Sequence, residues 1–153
     1  MTQITPHFSL SEFTRSQTAA RLDRPIIVEP GSPVAADIER LCFQLLEPAR
    51  EILTSAGARG MQVTSGYRPT WLNVTIGGSS TSEHVDGRAV DFVPLGLSID
   101  DAFELLKDSG LPFNQLILEF GEWIHISICA ALTEPKREVL EARKLDGKTI
   151  YLR

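Results

Sequence analysis

With 153 residues, 42% of them hydrophobic and 23% charged, the chain is sized for one compact domain with a packed core, which excludes wholesale disorder. A formal net charge of −5 with no long basic run removes the usual electrostatic handle of a nucleic-acid binder, so no nucleic-acid partner is expected. No apolar run approaches the roughly 20 residues needed to span a bilayer. Met1-Thr2-Gln3-Ile4-Thr5-Pro6 also lacks the basic-then-apolar order of a signal peptide, so synthesis in a cytoplasm without membrane insertion is expected.

Ser9-Leu10-Ser11-Glu12 has the form of a capping box and predicts a helix over about 10–21, with Leu10, Phe13 and Ala20 facing the core. Three prolines and a glycine between Asp23 and Pro33 predict a wrapping loop. Apolar residues at helical spacing from Ala35 to Leu53 predict a long helix over 34–55, kinked at Pro48 and stopped by Gly57. Met61–Thr64 reads as a short strand running into a turn, Ser65-Gly66-Tyr67-Arg68-Pro69, that presents Tyr67 and Arg68; a short helix follows Pro69. Gly77–Ser82 is a hydroxyl-rich loop.

Residues 88–93 alternate as a strand, with Val90 and Phe92 on one face and Ala89, Asp91 and Val93 on the other. Ser98 with Asp101 predicts a helix to Asp108, closed by Gly110. Residues 115–120 and 123–128 form two strands joined at Gly121-Glu122, and Glu138–Leu152 reads as a terminal hairpin turning at Asp146-Gly147. Cys42 and Cys129 both fall in apolar patterns and are read as reduced core thiols. Helices precede strands, so the class is α+β: N-terminal helices packed on a small, mainly antiparallel sheet, in one domain over 1–153 and expected as a monomer.

Two imidazoles and one carboxylate form a common ligand set for catalytic zinc, because they leave a position for water. His84 and Asp91 have opposite parity on a regular strand, so sharing a metal requires the backbone to break between them, and Gly87 supplies the break. His125 stands on the polar face of an isoleucine-rich strand and completes the set. Glu122, three residues earlier, is the candidate general base. Arg68 offers a fork for an oxyanion or a substrate carboxylate, and Ser82 and Tyr67 are candidate substrate contacts. An aspartate inside Ala89-Val90-Asp91-Phe92-Val93 is costly to bury without a partner, which favours a site over chance. His7, Glu83 and Asp86 are read as ordinary surface or loop residues.

S-x-H-x-x-G-x-A-x-D (Ser82, His84, Gly87, Ala89, Asp91) followed by E-x-x-H (Glu122, His125) resembles the zinc D-alanyl-D-alanine peptidases. That group includes D,D-carboxypeptidases, the vancomycin-resistance D-Ala-D-Ala dipeptidase and phage L-alanyl-D-glutamate endolysins. Ser65-Gly66-Tyr67-Arg68 resembles the group's S-G-Y-R segment, and His7–Phe13 is similar to the start of its small phage and prophage members. The resemblance implies a Hedgehog/D,D-peptidase α+β fold and Zn2+ held by His84, Asp91 and His125, with Glu122 as base and Arg68 as anchor. Some members carry a further histidine just before the acidic catalytic residue, in the region Phe120 occupies here, which sets the chain apart from the secreted D,D-carboxypeptidases.

The implied function is hydrolysis of peptidoglycan stem peptides by an endolysin, made in the host cytoplasm and acting on the wall after release or from the virion. Two alternatives are a D-Ala-D-Ala dipeptidase or carboxypeptidase in wall remodelling, and a non-catalytic zinc-containing wall-binding or virion module.

Overall fold

The computed structural model describes residues 2–153. A long helical segment forms its spine. Ser32 caps it by accepting the Ala35 amide at 3.2 Å, and Pro33, which needs no amide partner, takes the first turn. Helix α3 (Pro33–Leu41) passes through a π-helical turn, Cys42–Leu46, into α4 (Glu47–Ser55). In that turn the Glu47 N–H reaches back to the Cys42 carbonyl. The widened turn lies directly before Pro48, which has no amide to donate and would crowd a regular turn, so the expected kink takes the form of a π-bulge. Gly57 (φ 109°) closes α4: Ala58 donates to Leu53 and Gly57 to Thr54, the paired bonds of a Schellman stop.

The N-terminal region departs from the single helix expected over 10–21. Leu10–Thr14 (α1) and Gln17–Arg21 (α2) are separate, because Arg15 is extended and Ser16 restarts the helix by capping Ala19. Ala19 is buried, whereas Ala20 faces solvent. The Ser9–Glu12 capping box is present, with the Ser9 amide 2.7 Å from Glu12 Oε2. A two-stranded hairpin precedes it, β1 (Gln3–Thr5) and β2 (Phe8–Ser9), which local pattern did not disclose.

The main sheet contains β3 (Gly60–Ser65), β4 (Ala89–Leu95), β5 (Gln115–Glu119), β6 (Trp123–Ser127), β7 (Glu138–Leu145) and β8 (Lys148–Leu152), in the order β3-β4-β6-β5-β7-β8. All neighbours are antiparallel except β5 and β7, which run parallel. Strand parity divides the sheet. Val90, Phe92, Leu116, Leu118, Ile124 and Ile126 are buried on one face against α3, α4 and the helix α6 (Ile99–Lys107). Each such side chain contributes about 1.5–3 kcal/mol by leaving water. The opposite face carries Asp91, Glu119, His125 and Ser127; the short helix α5 (Thr70–Thr75) and a 3-10 turn, Glu83–Asp86, complete the structure around its β3–β4 end. Among the described residues, no helix is long and apolar enough to cross a membrane. The architecture is α+β, as expected.

Candidate metal centre

Asp91 and His125 are cross-strand partners of β4 and β6, so their side chains share one face at adjacent positions. His84 comes from the 3-10 turn, whose C-terminus is Gly87 in the left-handed region (φ 77°). That residue reverses the chain so that His84 folds back over Asp91, resolving the parity conflict between them. A side chain at Gly87 would also press on Ile38 and Val34, with a Cβ 3.0 Å from Ile38 Cγ1.

The three donor atoms lie within 4.8 Å of one another. His84 Nε2 is 3.3 Å and His125 Nδ1 is 3.2 Å from the same Asp91 Oδ1, and the two rings meet edge to face at 5.2 Å. His84 Nδ1 is 2.8 Å from the Gly66 carbonyl. A carbonyl only accepts, so Nδ1 carries the proton. In a neutral ring the lone pair on Nε2 then faces the Asp91 carboxylate, an arrangement that a cation between them, or a proton on the ring, makes favourable. The donor set therefore fits a metal ion, with a fixed tautomer on one histidine.

Electrostatics run the same way. Burial alone would raise the Asp91 carboxyl, but the His84 charge and the hydrogen bonds from His125 and His84 hold it far below the usual carboxylate range. Burial opposes a charged His125, yet the Asp91 bond and charge outweigh it and raise the imidazole above its ordinary value. A β-bulge in β3 lies beside Asp91, and Thr64 Oγ1 donates to the Asp91 carbonyl at 3.2 Å.

These donors sit in a cleft of about 770 Å³. Arg68 and Ser82 line it, as the sequence suggests. Ser82 also caps the 3-10 turn, its hydroxyl accepting the His84 amide at 3.3 Å. Tyr67 does not line it; the ring is half-buried against the apolar clusters. Glu122 is not brought to the cleft either. It is exposed on the β5–β6 turn and borders a separate depression with Phe120, Gly121 and Asp100. The turn itself is one residue earlier than expected, with Phe120 and Gly121 both left-handed.

Of the glutamates that line the cleft, Glu83 is taken up by Ser127 and Asn114 and Glu138 by Gln115 and Arg153, which leaves Glu119. It pairs with Trp123 across β5–β6, two positions along from the Ile117–His125 pair, and so shares the histidine's face. Burial, and then the Asp91 charge, raise its pKa above the ordinary glutamate value, partly offset by His125 and Arg68. Spacing to His125 concealed this residue, but strand parity across the hairpin discloses it.

Three further residues escaped the sequence reading. Asn73 is buried; its Oδ1 accepts from Arg68 Nη1 at 3.2 Å and its Nδ2 donates to the Ser79 carbonyl at 2.9 Å, aiming the guanidinium into the cleft. Glu83, read as a solvated loop charge, instead accepts from Ser127 Oγ at 2.6 Å and Asn114 Nδ2 at 3.0 Å, tying the His84 turn to the His125 strand. Asp37, on α3, is shared by Arg40 and Arg88, each at 2.9 Å.

No curated protein matches the chain at a significant level. The family model of Peptidase M15 matches residues 6–127, a span that contains Arg68, His84, Asp91, Glu119 and His125. The chain, with its α+β fold and its histidine–aspartate–histidine cluster, belongs to the Peptidase M15 family.

Proposed function

We propose that the chain is a zinc metallopeptidase that hydrolyses a peptide bond in peptidoglycan stem peptides, acting as a phage or prophage endolysin. The observation that carries the reading is the placement of Glu119 and Arg68 in the same cleft as the three donors. His84, Asp91 and His125 would hold the zinc ion. When bound, zinc supplies a Lewis acid that lowers the pKa of a water to about 7.

The chain's own residues do the rest. Glu119, kept basic enough to accept a proton by burial and by Asp91, takes the proton from the attacking water and passes it to the leaving amine. Arg68 faces the developing negative charge on the scissile carbonyl, or holds a substrate carboxylate. Its charge is felt by Glu119, and Asp91 and Glu119 in turn offset the lowering of its own pKa by burial. Asn73 fixes its direction. Ser82 is placed to meet substrate backbone at the cleft edge. Glu119 replaces Glu122 as base in this mechanism, because a base must reach the proton it moves and Glu122 borders a different surface.

Zinc-loaded protein incubated with purified muropeptides, with products weighed by mass spectrometry, tests the reading. Cleavage inside the stem peptide supports the endolysin; release of only terminal D-alanine or D-Ala-D-Ala supports the wall-remodelling alternative. Binding without any cleavage supports the non-catalytic module and overturns the peptidase.

A further inference from the structure

The β7–β8 hairpin lies wholly outside the span that matches the family model, yet it lines the cleft. Its register explains how. Trp123, Glu119, Ala142 and Tyr151 form one row across β6, β5, β7 and β8. Ala142 is fully buried and ends at a methyl group, and Tyr151 beside it lines the cleft together with Glu119. The Glu119 charge is felt at the Tyr151 hydroxyl, whose pKa is raised by burial first and by Glu119 second. The next row on this face is His125, Ile117 and Leu140, an apolar floor beside the histidine. The row after it ends on Glu138, which accepts from Gln115 Nε2 at 2.8 Å and pairs with Arg153 at 3.2 Å.

Arg68 follows β3, at one end of the sheet, and the hairpin is at the other, with the metal ligands between them. Strands lie about 4.8 Å apart, so β6 to β8 spans roughly 14 Å. An extended peptide covers that distance in about four residues. A dipeptide seated at the donors would leave this stretch bare.

We propose that the β7–β8 hairpin is the far wall of the substrate groove, with Tyr151 and Leu140 contacting the peptide on the side of the metal ligands away from Arg68. The groove is thereby matched to a peptide extended by about four residues beyond the reacting bond. This deepens the peptidase reading and rests on it for the identity of the substrate.

Calorimetric titration of the zinc-loaded Glu119→Gln protein with a stem pentapeptide, and with the same peptide shortened one residue at a time from either end, measures the wall directly. Shortening from one end is expected to weaken Kd by roughly tenfold over the series. In the Glu119→Gln/Tyr151→Ala protein that length dependence should fall to less than about twofold. Tyr151 is 56% exposed, so its truncation leaves the fold intact, which a thermal melt verifies. Length dependence that survives the loss of Tyr151, or is absent with Tyr151 in place, overturns the wall. If the wild-type protein cuts none of these peptides, the peptidase reading fails, while the Kd comparison still decides whether the hairpin binds them.

Discussion

His84 Nδ1 is held by the Gly66 carbonyl, and Gly66 is there because nothing larger fits. A Cβ at that position would lie 2.6 Å from Phe13 Cα, a backbone atom that cannot step aside. Gly66→Ala must therefore move the turn away from α1 and take the carbonyl from His84 Nδ1. Loss of such an orienting partner typically costs 10–100-fold in metal affinity, and competition with a chromophoric zinc chelator should show a drop of about that size; unchanged affinity would show that the carbonyl is incidental. The two glutamates give a second test at this scale. Glu119→Gln should abolish turnover of a cleavable stem peptide, by about 10²-fold or more, while leaving zinc bound. Glu122→Gln should stay within about twofold of wild type, as expected of an exposed turn residue. The reverse result would restore Glu122 as the base. Side-chain identity and spacing named His84, Asp91 and His125, which the fold gathers within 4.8 Å, and Arg68, which lines the same cleft. They also pointed to Glu122, but the chain turns back at Phe120-Gly121 and leaves that side chain outside the cleft, where Glu119 is instead.

Between elements, two ionic contacts tie the spine to its surroundings, the first of them to the segments beside the ligand strands. Asp37 on α3 joins Arg40, which reaches the Cys129 carbonyl just after β6, and Arg88, which immediately precedes β4. Asp37→Asn leaves two half-buried guanidinium groups short of a counter-charge, and a loss of about 1–2 kcal/mol in urea unfolding is expected after allowing for solvent screening. No change in the urea midpoint would mean that the cluster is only surface decoration. The second contact joins the first hairpin to α4, with Glu47 accepting from the His7 amide at 2.9 Å and lying 2.8 Å from His7 Nδ1. Burial would raise the Glu47 carboxyl, but the His7 hydrogen bonds lower it below its ordinary 4.5. A carboxyl depressed in the folded state adds stability above its unfolded pKa and loses it as pH falls through the folded value. The wild-type melting temperature should therefore fall more steeply than that of Glu47→Gln below about pH 4.5; parallel curves would rule the contact out as a source of stability. His7 thus has a partner that no sequence window could show, because 40 residues separate the pair.

Over the whole molecule, the sheet is two-sided: an apolar face against the helices, and a polar face that carries the donors. An ion bound there links β4, β6 and the 3-10 turn, so its removal should reach global stability. At zinc a hundredfold above Kd, binding only the folded state adds about 2.7 kcal/mol, and a chelator should lower the melting temperature accordingly and stop hydrolysis together. A melt unaffected by chelation would mean that zinc does not occupy the cluster. The cysteines also part company in the fold. Cys42 is fully buried, its thiol pushed up strongly by burial, whereas Cys129 lies just past β6, partly exposed and bonded to the Thr133 carbonyl. Only Cys129 should react with a maleimide in the native protein, a correction to the reading of both as core thiols. Local rules in the sequence determined the caps at Ser9 and Ser98, the stop at Gly57, the break at Gly87, the parity of β4 and β6 and the ligand types, because each depends on a few neighbouring residues. Only the tertiary structure decided which strands adjoin, including the parallel β5–β7 pair, and with that the entry of Glu119 rather than Glu122 into the cleft and the lining of the cleft by a C-terminal hairpin. Strand neighbours are chosen by burial of a shared face and not by local propensity, so residues far apart in the chain meet on terms that no short window contains.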